Sequence, residues 1–261
     1  MTSRNNREGA SLSRGGEIPL IGFGTWELAG DDAYNGVRAA LDIGYRHIDT
    51  ATGYANEDRV GAAVRDSGVD RDEIFITTKC PPDHAGRELE TLEASLSLLG
   101  MEFVDLWLIH WPPDGQARPD MWAQFIVAQQ QGKARAIGVS NYSIAQLDEL
   151  IAATGQAPAL NQIPWSPYRF DPQIAAALAE RGVLLEGYSP LKRSPLDNPE
   201  LVRVANAHGK TPAQVILRWH LEHGFIVIPR SARRARIEEN FDLYDFELAE
   251  DEVSALDALA A

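Results

Sequence analysis

The amino-acid sequence predicts an α/β fold, a single (β/α)8 barrel. Three observations predict it. Short apolar runs alternate with helical patterns about eight times along 261 residues, close to the roughly 250 that such a barrel needs. The strand-like runs are almost continuously apolar, as in Phe103-Val104-Asp105-Leu106-Trp107-Leu108-Ile109, which marks strands buried on both faces of a parallel sheet. No Gly-x-Gly-x-x-Gly follows the first strand, so the alternative, an open doubly wound sheet, ranks second.

Residues 1–14 are polar and rich in Ser, Arg and Asn, and read as a loosely ordered terminus ahead of one domain over 15–261. An N-terminal β-hairpin is expected to close the bottom of the barrel. Gly15-Gly16 turns the chain into a strand over 18–25. Asp31-Asp32 precedes a helix with Tyr34, Val37 and Leu41 on one face, and Gly44 stops it before a strand over 46–49. A helix over 56–64, a strand over 73–79, a helix over 87–99 ended by Gly100, and the strand over 103–109 follow. A helix over 121–131 precedes a strand over 134–139, and Ser143-x-x-Gln146 is a capping box for a helix carrying Leu147 and Ile151. Next come a strand over 160–163, a helix over 172–180 and a strand over 183–188. Thr211-Pro212 supplies an N-cap and N1 proline for a helix over 213–222. The last strand spans 225–228, with helices from about 233 and over 250–259. With short connections and no linker, the pattern is that of one TIM barrel.

Lys plus Arg total 24 against 38 Asp plus Glu, leaving a charge of −14. Such a surface repels polyanions, so neither nucleic acid nor a membrane is expected as a partner. No apolar run approaches the roughly 18 residues of a membrane span. The lone cysteine, Cys80, has no partner in the chain and no signal-peptide pattern opens it, so a cytoplasmic protein is expected. Neither His-Glu-x-x-His nor Cys-x-x-Cys appears, and no metal is expected.

In a closed parallel barrel the residues that end successive strands line the C-terminal mouth, however far apart in sequence. Read in order they are Gly24-Thr25, Asp49, Lys79, His110, Ser140-Asn141, Gln162, Tyr188 and Arg230-Ser231. Strand ends are polar wherever water is near, so any one alone carries little. Four carry more together. Asp49, Tyr54 just past it, Lys79 and His110 bring a carboxylate, a phenol, an ammonium and an imidazole from three neighbouring strands. That set can move a proton. A tyrosine titrates near ~10, and an adjacent ammonium lowers that value; Asp49 would hold the ammonium, and a neutral His110 would donate a hydrogen bond to a carbonyl oxygen. Arg230-Ser231-Ala232-Arg233-Arg234-Ala235-Arg236 is the densest basic run and follows the last strand at a helix start. It suits an anion, or else is a solvated basic face.

Gly44-Tyr45-Arg46-His47-Ile48-Asp49-Thr50-Ala51, with Tyr54 and Asn56-Glu57 beyond, closely resembles the aldo-keto reductase signature. Ile76-Thr77-Thr78-Lys79, Leu108-Ile109-His110-Trp111-Pro112 and Ile137-Gly138-Val139-Ser140-Asn141 resemble the family's further motifs in order, and the likeness runs from about Ile18 to the C-terminus. The style is similar to bacterial members of the 2,5-diketo-gluconate reductase type. The resemblance implies NADPH-dependent reduction of a small-molecule aldehyde or ketone to an alcohol, by a protein expected to be a monomer. By motif position it implies a catalytic tetrad of Asp49, Tyr54, Lys79 and His110, with Tyr54 the general acid. It implies Ser140, Asn141 and Gln162 at the nicotinamide carboxamide, Tyr188 stacked on the ring, and Gly24, Thr25, Asp49, Ser189 and Leu191 as further cofactor contacts. Arg230, Ser231 and Arg236 would meet the 2′-phosphate, with Glu239 and Asn240 near the adenine. Trp26 and Trp111, beside Tyr54 and His110, would wall the substrate.

The sequence also departs from the family. Arg230 stands where lysine is common, Lys192-Arg193 where glycine often follows Pro190-Leu191, and Ala55 where glycine is common, a minor change if the backbone there is ordinary. Cys80-Pro81-Pro82 replaces a substrate-facing tryptophan, and Ile163-Pro164-Trp165-Ser166-Pro167 follows Gln162. With Ala261 as its last residue, an open pocket is expected. Two competing functions are a nicotinamide-binding sensor with little turnover, which the intact tetrad opposes, and a Schiff-base aldolase, which a paired, protonated Lys79 opposes.

Overall fold

The structure, a computed structural model, describes residues 8–13 and 16–260. Two short strands, β1 (Gly9–Ser11) and β2 (Glu17–Pro19), form an antiparallel hairpin. Eight parallel strands follow: β3 (Phe23–Gly24), β4 (His47–Asp49), β5 (Phe75–Cys80), β6 (Val104–Ile109), β7 (Ala134–Ser140), β8 (Leu160–Pro164), β9 (Leu184–Tyr188) and β10 (Ile226–Ile228). Each pairs with the next in sequence order. Gly22 N donates to Val227 O at 2.9 Å, Val227 N to Leu20 O at 2.8 Å and Gly24 N to Pro229 O at 3.0 Å, which closes the barrel between first and last strands. Glycine is required at the seam, because a Cβ on Gly22 would lie 2.5 Å from His47 Nδ1 and 2.8 Å from Ile228 Cγ2.

The helices are α1 (Asp31–Ile43), α2 (Glu57–Asp66), α3 (Glu88–Leu99), α4 (Pro119–Gln130), α5 (Ile144–Thr154), α6 (Pro172–Glu180), α7 (Pro199–His208), α8 (Pro212–Glu222), α9 (Arg234–Phe241) and α10 (Glu250–Asp257). They pack outside the strands, so strands such as β6 are buried along their whole length, as continuous apolar runs demand. Trp107 of β6 stacks on Phe125 of α4 with ring centroids 3.7 Å apart. None of the helices among the described residues is long and apolar enough to cross a membrane.

Three elements differ from expectation. The loose terminus expected over 1–14 instead contains β1 at residues 9–11, paired Gly9 to Pro19, Ala10 to Ile18 and Ser11 to Glu17; residues 1–7 and 14, like Gly15 of the expected turn, lie outside the described residues. Backbone pairing needs no apolar side chain of its own, and the buried Ile18 supplies the anchor. The single strand expected over 18–25 is two, β2 and β3, since Pro19 has no N–H to continue a ladder. Helix α7 escaped the sequence reading although Asn198 caps it through Glu200 N (3.0 Å) with Pro199 at N1, the same chemistry as Thr211-Pro212. The hairpin lies at the bottom, where Glu8, Glu17 and Pro19 share a cavity of about 130 Å3 with Arg46 and Glu73, which precede β4 and β5.

Candidate active site

The C-terminal ends of β4, β5 and β6 bring four groups together. Lys79 donates from Nζ to Asp49 Oδ1 at 2.6 Å, to Thr50 O at 2.8 Å and to Tyr54 Oη at 3.4 Å. Gln162 Nε2 donates to Asp49 Oδ2 at 2.8 Å. Burial raises Asp49 above the usual carboxylate value, but both of its carboxyl oxygens accept hydrogen bonds and Lys79 lies against it, which is the arrangement of an ionised carboxylate. Burial is the largest single influence on Lys79 and lowers it, but Asp49 and Tyr54 more than offset this and hold the ammonium above the usual lysine value. His110 follows β6, its ring 5.6 Å from that of Tyr54 and edge-on to it. Burial and then Lys79 push His110 down to about 3, so its imidazole is neutral at physiological pH.

Tyr54 corrects one expectation. Lys79 does pull the phenol down, but burial outweighs it and the net direction is upward from the usual tyrosine value. The sequence shows the ammonium and not the depth of the site.

The residues around the tetrad explain the surrounding motif. Asn56, fully buried, donates to Thr25 O at 3.0 Å and Leu28 O at 2.8 Å and accepts from Thr50 Oγ1 at 2.8 Å, pinning the loop after β3 to the loop after β4. Glu57 accepts from Thr78 Oγ1 at 2.6 Å and Ser95 Oγ at 3.1 Å, tying α2 to β5 and α3. Thr52 Oγ1 donates to Lys79 O at 2.9 Å. Between these anchors Ala55 is left-handed, with φ +53°, so the exchange from the family's glycine is not minor. Cys80, the last residue of β5, is fully buried, and burial pushes its thiol up to about 12.

A cavity of about 830 Å3 opens above the tetrad. Gly24, Asp49, Ser140, Asn141, Gln162, Tyr188, Ser189, Leu191, Arg230 and Arg236 line it, as do Trp26, Tyr54, His110 and Trp111. The other four residues expected at the cofactor do not. Thr25 donates its hydroxyl to Asp49 O at 3.0 Å, Ser231 Oγ accepts from Arg233 N at 3.0 Å, Glu239 accepts from Thr211 Oγ1 at 2.7 Å, and Asn240 is buried. Tyr188 donates from Oη to Asn141 Oδ1 at 2.9 Å, and Asn141 Nδ2 donates to Ser140 Oγ at 2.9 Å.

The sequence reading passed over Glu27 and Arg169, which also line the cavity. Glu27 forms an ion pair with Arg230, and Lys192 Nζ lies 4.2 Å from the Trp26 ring centre, so the two sides of the mouth touch. It also passed over Glu186, an acid in an apolar strand two residues before Tyr188; that alternation was the signal that it shares an interior face with the mouth.

A model of the aldo/keto reductase family matches residues 20–261. The chain belongs to the aldo/keto reductase family. This aldo/keto reductase is 42% identical over 253 residues to one from Mycolicibacterium smegmatis, covering 95% of this chain and 92% of that protein. It is 44% identical over 246 residues to another from Mycolicibacterium vanbaalenii, covering 93% and 88%. Among solved structures it resembles the aldo/keto reductase of Brucella melitensis with a TM-score of 0.93 at 41% identity, covering 97% of each chain. It also resembles the Bombyx mori aldo-keto reductase in complex with NADP, with a TM-score of 0.89 at 32% identity, covering 97% of this chain and 92% of that one. Membership implies a nicotinamide-dependent oxidoreductase acting on carbonyl compounds.

Proposed function

We propose that this protein reduces a small-molecule aldehyde or ketone to the alcohol with NADPH as reductant and Tyr54 as general acid. The observation that carries this is the chain of contacts from Asp49 through Lys79 to the Tyr54 oxygen at the floor of the large cavity. Bound NADPH supplies the hydride. Because Lys79 donates to Tyr54 Oη, the phenol's own hydrogen is free to face a carbonyl oxygen. Burial keeps the phenol protonated at neutral pH, and as the proton leaves, the ammonium stabilises the phenolate. Neutral His110 donates its ring N–H to the same oxygen and fixes the carbonyl's orientation.

The donor set fits the cofactor. Ser140, Asn141 and Gln162 offer the donors and acceptors a carboxamide needs, and Tyr188, held by Asn141, offers a flat face to the nicotinamide. Arg230 and Arg236 on the rim suit a 2′-phosphate and favour NADPH over NADH. We read the chain as one catalytic domain, monomeric and cytoplasmic. An aldolase is disfavoured, because a lysine paired at 2.6 Å to a carboxylate is protonated and a poor nucleophile.

Mixing the protein with NADPH and a panel of aldehydes and diketones while following cofactor absorbance tests the proposal. NADPH binding without oxidation by any carbonyl would leave the sensor reading. Tyr54→Phe is expected to lower kcat by about 10²- to 10⁴-fold, with NADPH affinity close to unchanged; wild-type turnover in that variant would sink the acid assignment.

A further inference from the structure

Beneath the tetrad the barrel holds a second carboxyl group that the proposed reaction leaves unused. Glu186, at the centre of β9, is fully buried, with Gln162 on β8 and Ile226 on β10 as its register neighbours. Neither carboxyl oxygen has a hydrogen-bond partner of good geometry, which is rare for a buried acid and very costly for a charged one. The charged and titratable groups facing it are His47 and Asp49 of β4, Tyr54 of the following turn and Lys79 of β5. Gln162 of β8 is neutral, but its side-chain amide is near enough to favour the Glu186 carboxylate, less strongly than burial and Asp49 oppose it, and β10 contributes isoleucines. His220 of α8 lies against Gly187, on the other face of β9.

The Lys79 charge favours a Glu186 carboxylate, but none of these groups is free to pair with it. His47 Nε2 is 3.7 Å from Glu186 Oε1, but burial and then Lys79 push that imidazole down to about 3, and its Nε2 already meets Thr77 Oγ1 at 3.1 Å. Lys79 has three donors, and Asp49, Thr50 and Tyr54 engage all three. An ionised Glu186 would leave two carboxylates sharing one ammonium, one of them without solvent contact. A protonated one leaves the Asp49 and Lys79 charges balanced.

We infer that Glu186 is a positioning residue of this site, which retains its proton during turnover and so leaves Lys79 wholly to Asp49 and Tyr54. The inference rests on the reading of Tyr54 as general acid. Burial, and after it the Asp49 carboxylate, push Glu186 up to about 8. Its charge, once formed, raises both Tyr54 and Lys79, so it tightens the hold on the proton Tyr54 must give up. Reduction should therefore slow as pH rises through the Glu186 value, while Tyr54 itself is still protonated.

Glu186→Gln copies the shape and neutrality of the protonated acid. The test is the pH profile of kcat for reduction of a neutral aromatic aldehyde at saturating NADPH, in wild type and E186Q. Wild type should lose on the order of tenfold across the Glu186 titration, and the E186Q profile, scaled to its own value at neutral pH, should lack that alkaline fall. Superimposable profiles would overturn the inference. Infrared spectra of wild type and E186Q without substrate give a readout independent of turnover. A protonated-carboxyl band that disappears near pH 8 in wild type and is missing from E186Q is expected, and its absence from wild type at neutral pH would equally overturn the inference. Tyr54→Phe loses reduction at every pH if the acid assignment is right, so failure of that assignment is distinguishable from failure of this one.

Discussion

Ala55 shows how a single residue can carry a cost that its own identity conceals. It sits between Tyr54 and Asn56 at φ +53°, ψ +38°, where an L-residue with a Cβ is disfavoured by roughly 1 kcal/mol or more. The fully buried Asn56 anchors the chain on its far side, which is why the turn keeps this shape without glycine. Ala55→Gly is expected to raise stability by about 0.5 kcal/mol, the relief of strain exceeding the added freedom of the unfolded chain. Urea denaturation measures this, and a destabilised variant would contradict it. Asn141 adopts a similar torsion, φ +65°, but asparagine tolerates it, and the bend lets its Nδ2 reach His110 O at 3.2 Å. Tyr54, Lys79 and His110 were legible because each lies at or just past the end of an apolar strand. The torsion at Ala55 was not, because alanine is compatible with helix, strand and turn alike.

Among the elements, α8 and α9 show where local signals stop. Thr211 accepts from Gln214 N at 3.2 Å, and Gln214 Oε1 accepts from Thr211 N at 3.0 Å, a box spelled by four consecutive residues. The same hydroxyl donates to Glu239 of α9 at 2.7 Å, across a separation of 28 residues, and nothing local announces that bond. Thr211→Ala should cost about 1–2 kcal/mol, seen as a lower denaturation midpoint, since it removes the cap and leaves Glu239 unpaired; an unchanged midpoint would argue that the cap is idle. The strands were legible for a similar reason, since burial on both faces writes itself as an apolar run. The exception was the break between β2 and β3, because the two residues of β3 are too few to set a period of their own inside the apolar run over 18–25.

Across the whole molecule the charge distribution is uneven. A chain with net charge −14 gathers Arg169, Lys192, Arg193, Arg230 and Arg236 around one cavity. Attraction of this kind weakens with added salt, and NADPH, with its extra phosphate, should feel it more than NADH. Raising ionic strength is expected to weaken NADPH relative to NADH by on the order of fivefold, and Arg236→Ala should narrow that difference. Equal salt slopes for the two cofactors would contradict a phosphate contact on this rim. The basic run was legible as composition. The pairing of Arg230 with Glu27, 203 residues away, required the barrel to close first, and so did the burial of Glu186 beneath the tetrad.

That closure has a consequence for the chain's only thiol. Cys80 lies one residue past Lys79 on a central strand, without solvent contact and with its thiolate strongly disfavoured. A maleimide reaches it only when β5 parts from its neighbours, so the molecule carries a built-in reporter on the strand that bears Lys79. Slow labelling counts the openings of an intact barrel, and immediate labelling marks the fraction already unfolded.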